Sequence, residues 1–72
     1  MRTLTLDIMK DGGLRFYKTL NYRFTPPLSL EDMILWIVSC LPSLENKDFV
    51  IYADAHDDRP ATRMVVSRNN AT

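Results

Sequence analysis

RTLTLDIMKDGGLRFYKTLNYRF, residues 2–24, sets the architecture of this chain. Its first part alternates apolar and polar residues, with Leu4, Leu6 and Ile8 on one side, which is typical of a half-buried strand. The alternation resumes after the Asp-Gly-Gly sequence of residues 11–13 and continues to the end of the stretch. Two alternating runs joined by a glycine-rich turn predict a β-hairpin.

The length of the hairpin loop determines which residues face each other, because only one parity keeps the two apolar sets on one face of the sheet. A three-residue loop over residues 11–13 places Ile8 opposite Phe16 and Leu4 opposite Leu20. We therefore expect a type I turn at residues 11 and 12, followed by Gly13 in the left-handed conformation as a bulge.

Residues 25–27, Thr-Pro-Pro, end the second strand because proline lacks a backbone donor. Ser29 is then expected to cap a helix that runs from residue 30 to about residue 41. The helix carries one broad apolar stripe, which we expect to pack on the sheet: Leu30, Met33, Ile34, Ile37, Val38 and Leu41. Leu35 and Trp36 fall outside this stripe, on the flanks of the helix.

Two further strands are predicted after the helix. Residues 48–53 are apolar on both faces, which favours a central position in a sheet. A polar loop separates them from a last strand over residues 62–67, and residues 69–72 are expected to form a frayed tail. The order β-β-α-β-β predicts a two-layer α+β fold, one helix on a four-stranded sheet, in a single domain of residues 1–68.

This element order resembles that of β-grasp domains, which are ubiquitin-like in size and pair their first and last strands in parallel at the centre of the sheet. The resemblance is one of topology alone and covers no sequence motif. The chain also lacks the C-terminal diglycine of ubiquitin. An all-antiparallel sheet with the same element order fits the residues equally well, so the sequence leaves both arrangements open.

The composition is that of a small globular domain. The chain has 72 residues, 46% apolar and 25% charged, with nine basic and nine acidic residues. A domain of this size buries only about 60% of its unfolded surface, so a partner or a second copy would add to a small core. The longest apolar run, residues 33–38, is too short to span a membrane, and no signal peptide is apparent. With one cysteine, we expect a cytoplasmic protein.

The sequence predicts no catalytic site, no metal site and no cofactor. His56 lies among Asp54, Asp57 and Asp58, but a short acidic loop does not supply three or four ligands with a defined geometry. Cys40, the single thiol, is expected to be a small buried hydrophobe near the end of the helix. The serines lack the context of a nucleophile elbow. We therefore expect that the protein is not an enzyme.

The zero net charge conceals an uneven distribution of charge. Residues 1–24 carry five basic and two acidic residues, residues 25–58 one and seven, and residues 59–72 three and none. The balances are therefore +3, −6 and +3. Acidic and basic regions on one small domain favour an oriented encounter with a specific protein surface.

The open face of the sheet, the one turned away from the helix, is expected to carry Arg15, Tyr17 and Arg23. Met9 and Val65, or Val50 and Tyr52, are also expected on that face. Aromatic and arginine side chains on a sheet can stack single-stranded RNA, so nucleic-acid binding is the alternative function. A chain without net positive charge is poorly suited to phosphate-driven affinity.

The favoured function is a small protein–protein interaction module, either an inhibitor or an accessory subunit. Its partner is expected to be another protein or a second copy of the chain. Trp36 and Leu35 are the predicted apolar anchors on the helix flank, and Tyr17, Arg15 and Arg23 are the predicted rim on the open face. Tryptophan, tyrosine and arginine are enriched in protein interfaces.

Overall fold

The computed structural model describes residues 1–54 and 60–67. The predicted loop around His56 and the predicted tail at residues 69–72 lie outside the described residues. The regular elements are the strands β1 (Arg2–Lys10), β2 (Arg15–Phe24), β3 (Phe49–Ala53) and β4 (Thr62–Val66) and the helix α1 (Leu30–Cys40). Two short 3₁₀ turns lie at Asp11–Gly13 and Pro42–Leu44.

The four strands form one sheet in the order β2-β1-β3-β4, and each neighbouring pair is antiparallel. This confirms the two-layer α+β fold with one helix on a four-stranded sheet. It also confirms the central position of β3, which is apolar on both faces. Of the two arrangements left open, the sheet has the all-antiparallel one, because β4 lies at the edge beside β3 and does not pair with β1.

Helix α1 begins as predicted, with the Ser29 hydroxyl accepting a hydrogen bond from the Asp32 backbone N–H at 3.3 Å. Met33 and Ile37 are completely buried against the sheet. The prediction for Cys40 is wrong, since this thiol is exposed. The helix ends at this residue, and Leu41 and Leu44, which follow it, are buried instead. The rest of the core consists of Leu4, Leu6, Ile8, Tyr22, Phe24, Phe49, Ile51, Ala53 and Val66.

The predicted hairpin register is wrong by two residues along most of β2. Leu4 lies opposite Tyr22 and Ile8 opposite Lys18, whereas Met9 lies opposite Phe16. The loop spans residues 11–14, between the paired ends of β1 and β2, and is thus one residue longer than predicted. The register shift between Ile8 and Met9 leaves one extra residue, number 17, as a β-bulge in β2.

The hairpin loop also differs from the expected type I turn. Asp11 and Gly12 both have positive φ angles, of 54° and 67°, whereas a type I turn requires negative values. The predicted left-handed conformation of Gly13 is confirmed, with φ at 97°. Three successive residues with positive φ turn the loop towards β3, where it lies over the face of the sheet that α1 leaves open.

Candidate functional site

An apolar row crosses the open face from one edge of the sheet to the other. Phe16, Met9, Val50 and Val65 are direct cross-strand neighbours on β2, β1, β3 and β4. Met9, Val50 and Val65 alternate along their strands with residues that pack under α1, and Phe16 lies directly opposite Met9, so all four share the face turned away from the helix. Phe16 is 61% exposed and Val65 60% exposed, which leaves both ends of the row accessible.

The hairpin loop covers the middle of this apolar row. A methyl group built on Gly13 would lie 3.8 Å from Val50 Cγ2 and 3.5 Å from the Tyr52 hydroxyl. Val50 is consequently only 2% exposed although it lies on the open face. Leu14, the next residue of the loop, is exposed. The accessible apolar surface therefore consists of two flanks, at the β2 and β4 edges, separated by the loop.

The next rows of the open face are polar and already hydrogen-bonded. The Thr19 hydroxyl donates to Asp7 Oδ1 at 2.8 Å, and Arg63 Nε donates to the Tyr52 hydroxyl at 3.2 Å. Further along, the Thr5 hydroxyl donates to the side-chain oxygen of its cross-strand neighbour, residue 21, at 3.2 Å. Because these polar side chains already have hydrogen-bond partners within the protein, a binding partner gains most free energy by covering the apolar row.

Two of the predicted rim residues do not lie on the open face. The bulge turns Tyr17 towards the helix side, where its hydroxyl lies 2.7 Å from the Ser43 hydroxyl. Lys10 Nζ stacks over the same ring at 3.8 Å from its centroid. Arg15 pairs with Lys10 across the strands and contacts Asp11 at 3.2 Å. The placement of both residues on the open face is therefore wrong, because the bulge turns Tyr17 inward and reverses the alternation of the residues before it.

Arg23 is the predicted rim residue that the structure does place on the open face, opposite Thr3 and exposed. Leu35 is exposed on the outer side of α1, on the opposite side of the domain. Trp36 is half-buried and packs on Tyr22, with 5.0 Å between the ring centroids. The five predicted contact residues therefore do not form one continuous surface.

Phe16 is the accessible aromatic residue that the sequence prediction placed in the core. A signal was present in the sequence, since Phe16 and Tyr17 are adjacent aromatic residues and regular alternation buries only one of them. Which of the two is buried depends on the extra residue in β2. In the structure Tyr17 is the inward residue, and its hydroxyl contacts Ser43 of the Pro42–Leu44 turn, which is distant in sequence.

Among residues 1–54 and 60–67, no three His, Cys, Asp or Glu side chains are grouped so that they could hold a metal ion. In the same ranges, no helix is long and apolar enough to cross a membrane. Comparison of the chain with protein-family models, curated proteins and solved structures gives no significant match. Function therefore has to be inferred from the surface of the domain itself.

Proposed function

We propose that this chain is a non-enzymatic, cytoplasmic protein-binding module, an inhibitor or accessory subunit that docks through the open face of its sheet. The observation that carries the proposal is the apolar row, whose exposed ends Phe16 and Val65 lie on opposite edges of the same face. Apolar side chains exposed at both ends of an otherwise hydrogen-bonded face are typical of interaction sites.

The charges around the row indicate the chemistry of the partner. The strand side chains on the open face include two arginines, Arg23 and Arg63, and one acidic residue, Asp7. Asp7 already accepts a hydrogen bond from Thr19. A complementary partner surface is therefore apolar where it meets the two flanks and acidic at its rim, since opposite charges steer the encounter and like charges oppose it.

The size of the domain sets the extent of such a contact. A standard interface covers about 800 Å² on each partner, which is about one-sixth of the 4978 Å² accessible surface of this chain. The apolar row alone is smaller than that, so the contact extends to its exposed neighbours. Leu14 of the hairpin loop and Tyr52 on β3 are also exposed and would extend the contact between the two flanks.

The test compares two variants that add the same charge to opposite sides of the domain. A photoreactive residue at position 65 captures partners from native lysate, and mass spectrometry quantifies them for wild type, Phe16→Glu and Leu35→Glu. We expect Phe16→Glu to lose the captured proteins and Leu35→Glu to keep them, while circular dichroism shows both variants folded. Loss with Leu35→Glu alone would assign binding to the helix flank and refute docking through the open face.

Single-stranded RNA binding remains the second candidate, favoured by one specific observation. Phe16 and Tyr52 are exposed aromatic residues on the open face, and the Arg63 guanidinium lies 5.9 Å from the Tyr52 ring centroid. Aromatic and arginine side chains on a sheet offer stacking surfaces for unpaired bases. The absence of net positive charge still favours a protein partner.

A further inference from the structure

A groove lies between helix α1 and the edge strand β4, on the side of the sheet opposite to the apolar row. It has a volume of about 480 Å³ and is lined by Leu30 and Ile34 from the helix and by residues 64–67 from β4 and its end. Leu30 belongs to the apolar stripe of α1, yet it is 51% exposed because no residue in the described part of the chain fills the space beside it. We call this feature the edge groove.

The lining of the edge groove indicates the shape of its occupant. Side chains alternate between the two faces of a strand, so four successive residues can line one groove only if the backbone edge of β4 itself forms its wall. Within the described residues, β4 pairs with β3 on one side only. Its outer side therefore presents backbone N–H and C=O groups, the template for an added strand.

The two edges of the sheet differ in how well they resist strand addition. Edge strand β2 contains the bulge at Tyr17 and three basic residues, Arg15, Lys18 and Arg23. Bulges and charged side chains are the usual obstacles to edge pairing. Edge strand β4 pairs regularly over all five residues and carries a single charge, on Arg63. Its outer edge is thus open to pairing.

We infer that the occupant of the edge groove is β4 of a second copy of this chain, added antiparallel about a two-fold axis near Met64. This pairing places Met64 and Val66 of the second copy on the helix side, beneath Leu30 and Ile34. The same contact is repeated in the other direction, as a two-fold axis requires. Each copy thereby supplies the apolar side chains that fill the groove of the other.

Charge and continuity favour a second copy over an unrelated strand. In a register centred on Met64, Arg63 lies opposite Val65 of the second copy, so the two Arg63 side chains do not face each other directly across the interface. The two sheets join into one of eight strands, and their apolar rows lie on the same face. A domain of 72 residues also has a small core, which the second copy enlarges.

Sedimentation and light scattering of the full chain, at concentrations up to about 1 mM, test this dimer. Leu30→Glu and Leu35→Glu form a matched pair, because both leucines lie on α1 with similar exposure, 51% and 54%, and only Leu30 lines the groove. We expect Leu30→Glu to raise the dimer dissociation constant about tenfold or more and Leu35→Glu to leave it unchanged. Cooperative thermal unfolding of each variant is the check that it folds.

Amide hydrogen exchange locates the interface independently of the variants. We expect exchange in residues 62–66 to slow as the concentration rises, because half of their N–H groups become paired in the dimer. A chain that stays monomeric throughout, or a dimer that leaves these amides unchanged, would overturn the inference. This dimer and the proposed docking face are separable, since Phe16→Glu should abolish partner capture without affecting dimerisation.

Discussion

Replacing Trp36 by alanine distinguishes a residue of the fold from a residue of the interface. The indole packs on Tyr22, with ring centroids 5.0 Å apart and planes tilted by 49°. Tyr22 in turn stacks on Phe24 at 5.8 Å, so the three rings form one cluster at the β2 side of the core. Truncation at position 36 removes the outer ring of this cluster and exposes its neighbour to water.

The expected loss of stability follows from the area that becomes exposed. A half-buried tryptophan covers about 100 Å² of apolar surface, which corresponds to about 2.5 kcal/mol at about 25 cal/mol per Å². The tilted pair with Tyr22 adds about 0.5–1 kcal/mol. The free energy of unfolding should therefore fall by about 3 kcal/mol. For a domain of this size, with about 4–8 °C per kcal/mol, the midpoint of thermal unfolding should fall by about 20 °C.

Thermal unfolding followed by far-ultraviolet circular dichroism measures this loss, with Leu35→Ala as the matched control. Leu35 is the neighbouring residue on α1 and is largely exposed, so its truncation should change the stability by less than about 0.5 kcal/mol. Equal shifts for the two variants, or an unchanged midpoint for Trp36→Ala, would refute the assignment of Trp36 to the core. That result would instead support the prediction that Trp36 is an apolar anchor of an interface, which follows from its position outside the apolar stripe of α1.

Two further predictions concern the loop and the open face. Gly13→Ala should destabilise the domain by about 1 kcal/mol more than Gly12→Ala. Both glycines have positive φ, but the 67° of Gly12 lies within the range of about 50–70° that residues with a Cβ tolerate, whereas the 97° of Gly13 lies beyond it. Equal midpoints in chemical denaturation would contradict this. If the chain binds RNA, fluorescence anisotropy with a labelled oligouridine at low salt should detect an affinity that falls with added salt and with Arg63→Ala or Tyr52→Ala. No change in anisotropy at low salt would eliminate the nucleic-acid function.

Local patterns were sufficient to predict the elements of the fold. The proline pair, the Ser29 cap and the stripe on α1 each act within a few residues, so the helix begins and ends close to its predicted bounds. The double-sided apolar pattern of residues 49–53 likewise predicted the central strand. Whether the sheet was β-grasp-like or antiparallel depended on long-range pairing of β1 with β3, which no local pattern encodes.

The candidate surface was harder to predict because it depends on the one extra residue that β2 contains relative to β1. Alternation shows that Phe16 and Tyr17 lie on different faces, and it does not show which one is inward. The contact of Tyr17 with Ser43 belongs to tertiary packing, as does the cover that Gly13 provides for Val50. Trp36 illustrates the same limit. A helical wheel gives the direction of its side chain around α1, but its contact with Tyr22 depends on how the helix packs on β2.

The bulge in β2 also governs how sequence variation in this strand has to be interpreted. From Lys18 to Phe24, even-numbered positions point to the helix side, whereas the even-numbered Phe16 points to the open face. Substitutions along β2 should therefore be tolerated at odd-numbered positions after Tyr17 and at the even-numbered position before it. Treating β2 as one regular alternation would therefore assign the wrong face to residues 15–17, the part of the strand that contains the bulge and borders the apolar row.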